Sequence, residues 1–138
     1  MSHWPQSHYN SADEYLVAGT PFVTSSNGAE LTNTTPIQIT FPYVTQWVKI
    51  FNNSAAATSL RVGFSSNGVK GTETKNYFVV TGTQNSDSLA IKCKSLFLLS
   101  NNGTNVSFSI MAGLTMAKDM FPLTGSIPGT TDGIPGVG

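Results

Sequence analysis

The sequence predicts an all-β domain: a single jelly-roll sandwich of about eight antiparallel strands with an extended arm at each end. Three observations predict it. Short apolar runs with period-two alternation follow one another from residue 15 to residue 116. Asn-Gly steps and Ser/Thr/Asn clusters interrupt them, as tight turns require. No stretch of ten residues carries a helical apolar stripe.

Taken in order, residues 1–14 are polar and aperiodic, with Trp4, Pro5, His8 and Tyr9, and form an N-terminal arm. The jelly-roll domain spans residues 15–116. Leu16 to Val23 opens it as a strand or strand pair, and Ile37, Ile39 and Phe41 alternate with Gln38 and Thr40. Beyond Pro42, Val44, Val48 and Ile50 share one face, interrupted by Gln46, while Trp47, Lys49 and Phe51 share the other. Leu60, Val62 and Phe64 form the next strand, and Tyr77 to Val80 another. Leu89, Ile91 and Cys93 alternate with Lys92 and Lys94. Leu96 to Leu99 is apolar throughout, hence buried on both faces or at an interface. Val106, Phe108, Ile110, Ala112 and Leu114 give the longest clean alternation. Asn27-Gly28, Asn67-Gly68 and Asn102-Gly103 supply residues that accept positive φ at turns. Residues 117–138 form a Pro/Gly-rich C-terminal arm with Ile-Pro-Gly at 127–129 and again at 134–136. Each arm is either a disordered end or a segment that orders on a neighbouring subunit. An immunoglobulin-type sandwich would carry a Cys–Trp–Cys core, and one cysteine argues against it.

Composition narrows the function classes. Charged residues make up 10% of the chain, against about 25% in ordinary domains. Such a sparsely charged surface suits a protein that sits among neighbours in an assembly. Seven basic and seven acidic residues give zero net charge, whereas a nucleic-acid partner calls for a basic patch. Lys92 and Lys94 read as a solvated strand edge. No apolar run approaches the ~20 residues of a membrane helix, and Met1 to Gln6 lacks the pattern of a secretory signal. The expectation is a protein made and used without export, bound to no nucleic acid and not inserted in a membrane.

A search for chemistry ends without a site. Cys93 reads as a small buried hydrophobe, since both histidines lie in the first ten residues. His3 and His8 have no third ligand beside them, so no metal is expected. Asp13, Glu14, Glu30, Glu73, Asp87, Asp119 and Asp132 fall in expected turns and tails, with no carboxylate pair on one strand face. Nucleophile-elbow and phosphate-loop patterns are missing. The chain is therefore expected to be no enzyme, with no catalytic, cofactor-binding or metal-binding residue and no cofactor. Glycosylation triplets at Asn33, Asn52, Asn102 and Asn105 are the chance matches of an Asn/Ser/Thr-rich chain. Trp47, Phe51 and Phe97 could stack a sugar, although aromatics in a sandwich more commonly serve as core or subunit contacts.

Several strings carry a resemblance. They are Thr20 to Ser26, Ile39 to Thr45, Leu60 to Ser65, Asn67-Gly68-Val69 with Asn76-Tyr77-Phe78, Leu96-Phe97-Leu98, and Phe108 to Thr115. Through them, residues 15–115 resemble the single jelly-roll vertex (penton) capsid proteins of nucleocytoplasmic large DNA viruses. The resemblance implies a structural protein of the virion, made in the host cytoplasm. It also implies a homopentamer at each icosahedral vertex, contacting the major capsid protein and minor (cement) capsid proteins through its arms. These strings are structural, and no binding residue carries over. Two other readings compete: a receptor-binding or fibre-head domain, commonly trimeric, and a carbohydrate-binding module.

Overall fold

The structure, a computed structural model, describes residues 18–26, 31–72, 74–101, 105–118 and 137. Both arms lie largely outside this set, as do Asn27-Gly28 and Asn102-Gly103. Among the described residues the order is β1 (Ala18–Ser25), β2 (Ile37–Thr40), β3 (Thr45–Asn52), β4 (Leu60–Gly63), α1 (Ser66–Lys70), β5 (Tyr77–Val80), β6 (Ser95–Ser100) and β7 (Phe108–Thr115). The strands form two antiparallel sheets, ordered β1-β7-β3 and β2-β6-β4-β5.

The period-two alternation sorts side chains as expected. Val48 and Ile50 of β3, Leu60 and Val62 of β4, Leu96 and Leu98 of β6, and Phe108, Ile110, Ala112 and Leu114 of β7 are buried in one core. Phe41, just past β2, joins them and meets Phe22 of β1 edge-to-face at 5.0 Å. The interruption at Gln46 has a structural cause. Thr45 pairs with Leu114 and Trp47 with Gly113, so Gln46 is a bulged extra residue. The bulge resets the parity, and Trp47, Lys49 and Phe51 then face outward.

Leu96, Leu98 and Leu99 are buried, on both faces of β6, whereas Phe97 is half-buried. Leu96 and Leu98 point into the core, whereas Leu99 pairs with outward-facing Arg61. Helix α1 rests against β4 and β6 on that outer face, and Val69 and Leu99 are both buried outside the main core. Arg61 holds the helix end in place. Its guanidinium donates to the carbonyls of Val69 (3.2 Å) and Lys70 (2.8 Å) and to Oδ1 of Asn101 (2.7 Å), and it lies over the Tyr77 ring.

Two local expectations are corrected. Asn67-Gly68 is not a positive-φ turn but the first turn of α1. Ser65 caps it, accepting the Gly68 N–H at 2.9 Å, and the left-handed residue is Gly71, at φ 73°. The Ser65 hydroxyl in turn donates to the carbonyl of Val137, which brings that residue of the C-terminal arm against the chain's own domain.

The second correction concerns Leu89, Ile91 and Cys93, which do not lie on a regular strand. Residues 85–93 run beside β3 and make isolated bridges only, Val48 with Leu89 and Phe51 with Asn85. Backbone hydrogen bonds join Val48 with Leu89 in both directions, Ser86 to Ile50, Asn52 to Gln84 and Thr45 to Cys93, and side-chain oxygens complete the pairing between them. Ser86 Oγ accepts the Ile50 N–H, while the Thr45 hydroxyl accepts from the Cys93 N–H and donates to the Ile91 carbonyl. Asp87 at φ 60° breaks the extended run.

Candidate interaction surface

The outer face of the β1-β7-β3 sheet carries three cross-strand rows set by its register. Ser25, Ser109 and Phe51 form the first, Val23, Met111 and Lys49 the second, and Pro21, Gly113 and Trp47 the third. Val23 is 65% exposed and Met111 40%, so apolar surface faces outward across adjacent strands. Gly113 lets the Trp47 indole lie flat across β7, since a Cβ there would overlap the indole nitrogen. The Lys49 ammonium stands 5.4 Å from the Phe51 ring centroid. The first row is polar at its centre, where Ser109 Oγ bonds Ser25 Oγ and accepts from Nδ2 of Asn53, both at 2.8 Å. Parity predicts that Trp47, Lys49 and Phe51 share a face. It cannot show that Val23 and Met111 complete that face, because their register depends on pairing across the length of the domain.

A second feature lies on the flank between the unpaired edge of β5 and residues 84–91. An open groove of about 600 Å³ is lined by Phe64, Phe78, Val80, Leu89 and Ile91, with Thr81, Gln84, Asn85 and Ser86 among its polar lining. Its walls come from segments separated in the chain, so no local motif announces it.

The residues singled out for chemistry are dispersed. Phe97 lies on β6, on the outer face of the other sheet, so the structure does not assemble a three-aromatic sugar platform with Trp47 and Phe51. Cys93 is fully buried, as expected, and burial pushes its thiol pKa up, opposed by hydrogen bonds involving Thr45 and the Ser95 backbone. Lys92 is exposed, and Lys94 Nζ donates to the Pro42 carbonyl at 3.1 Å, so the pair forms no common anion site. Of the seven acidic residues only Asp87 is among the described residues; His3 and His8 lie outside them. Asn52 is buried with its side chain fully engaged, whereas Asn33 and Asn105 are exposed and Asn102 is not among the described residues. No group of three metal-ligating side chains, and no helix long and apolar enough to cross a membrane, occurs among the described residues. Comparison with family models, curated proteins and solved structures finds no match to this chain.

Proposed function

We propose that this chain is a structural shell protein with a single jelly-roll fold, forming the pentameric vertex capsomer of a large icosahedral double-stranded DNA virus. The observation that carries the reading is the nesting of the strand pairs. β1 pairs with β7, β2 with β6, residues 85–89 bridge to β3, and β4 pairs with β5. If residues 85–91 count as a strand, the first half of the chain pairs in reverse order with the second. Rolling such a long antiparallel ribbon would bring β7 beside β3 and β6 beside β4, which are neighbours in the two sheets, and this supports the jelly-roll reading. Jelly rolls serve widely as capsid building blocks, among other roles.

The surface supports the same use. The outer face of β1-β7-β3 presents Val23, Met111, Trp47 and Phe51 with one cation, and the groove beside β5 lies on an unpaired flank. Five copies arranged head-to-tail around an axis would bury a flank of each against the next. The N-terminal arm, residues 1–14, and the stretch of the C-terminal arm between residue 117 and Val137, which returns to Ser65, would then reach the surrounding major capsid protein and minor capsid proteins.

Sedimentation of the full-length chain across a wide concentration range tests the reading, with a five-copy species expected. A trimer would favour a fibre head, and a monomer at the highest concentrations would remove the proposal. Antibody labelling of intact particles, with signal confined to the vertices, tests the location.

A further inference from the structure

We propose that the outer face of the β1-β7-β3 sheet receives the N-terminal arm, residues 1–14, of a neighbouring copy, with Lys49 meeting the carboxylates of Asp13 and Glu14. The inference rests on the assembly reading and names a contact that reading leaves open.

Charge selects the occupant. Residues 15–116 hold six basic and three acidic residues, whereas residues 1–14 hold two acidic residues and no lysine or arginine. The face offers one cation, Lys49, in the middle row beside Met111 and Val23. The Lys49 ammonium stands over the Phe51 ring. A second domain face offered to this surface would bring a net-basic body against that cation. The arm brings the opposite sign.

Chemistry and reach agree with that choice. Trp4 and Tyr9 add large apolar area at low entropic cost, and the surface they would meet is flat and apolar, made by the Trp47 indole over Gly113 beside Met111 and Val23. The arm joins the body at β1, an edge strand of this same sheet. Asp13 and Glu14 lie only four to five residues ahead of β1, a reach of roughly 15 Å, so the contact requires the β1 edge of one copy to sit beside this face of the next, with Tyr9 and Trp4 running further across it.

The test uses the full chain carrying Asp13→Cys and Lys49→Cys, oxidised under mild conditions and run on a non-reducing gel. A ladder of covalently linked copies ending at the native oligomer is expected, and Lys49→Cys alone should give no ladder. An intrachain disulfide would overturn the neighbour assignment. A sedimenting oligomer that forms no cross-link would overturn this contact while leaving the assembly reading intact, whereas a monomer without cross-links would remove both. Charge reversal provides an independent arm. Lys49→Glu, or Asp13→Lys with Glu14→Lys, should each weaken self-association by about tenfold or more, and the combination should restore most of it. Lack of restoration, with each variant folded by circular dichroism, would count against the pairing.

Discussion

Asn52, at the end of β3, donates from Nδ2 to the carbonyl of Val80 at 2.9 Å, tying one sheet to the last residue of β5 in the other. The same nitrogen donates to the Thr58 carbonyl at 3.0 Å, and Oδ1 accepts the Ser54 N–H at 3.0 Å. Asn52→Ala would leave the Val80 and Thr58 carbonyls without this donor in the interior. We expect a loss of about 2–4 kcal/mol, measured by urea denaturation.

Two glycines should respond unequally to alanine. A Cβ on Gly113 would overlap the Trp47 indole, a side chain at the surface that can swing away. A Cβ on Gly82 would overlap the backbone carbonyl of Ala55, which is fixed by accepting the Thr58 N–H. Gly113→Ala should cost about 1 kcal/mol and shift the Trp47 fluorescence, read in a Trp4→Phe background. Gly82→Ala should cost about 3 kcal/mol or more. Equal losses would show that backbone obstruction is not what distinguishes the sites.

Cys93 should be silent toward thiol reagents in the native protein and react at full rate in denaturant, because the thiol is buried and its pKa raised. The sign of the pH dependence follows. The unfolded chain releases this proton at lower pH than the folded one, so above the ordinary thiol range the unfolded state binds fewer protons and stability falls as pH rises. Cys93→Ala should remove that alkaline slope while costing about 1 kcal/mol of packing.

Arg61→Lys should not rescue Arg61→Met. The guanidinium reaches Asn101 through Nε and the two helix carbonyls through an Nη, a spread that a single ammonium cannot span. Both variants should lose about 1–2 kcal/mol by thermal denaturation, with amide exchange in α1 accelerating first.

Much of the sandwich was legible because alternation reports burial directly. β3 and β7 follow their apolar parity residue by residue, once the Gln46 bulge is allowed for. Residues 89–93 show where that signal fails: alternation measures which side chains face inward, not which atoms carry the hydrogen bonds, and there Thr45 and Ser86 hydroxyls stand in for backbone partners. Asn67-Gly68 failed for another reason. Ser65 three residues ahead of Gly68 makes a helix cap, and the local cap outweighed the turn preference of the dipeptide. The apolar face was half legible, since Trp47 and Phe51 share a strand while Val23 and Met111 join them only through long-range register.

The position of β7 governs when this face comes into being. Among the described residues it is the last strand yet the central one of its sheet, and 84 residues separate the paired Ser25 and Ser109. On the ribosome, β1 and β3 emerge long before the strand that joins them, whereas β4 and β5 find each other early. Closure of the sheet therefore belongs to the slow class of non-local folding events. Chains truncated before residue 108 would present no joined face at all, so anything that recognises a surface built across these three strands would select completed chains, a form of proofreading by topology.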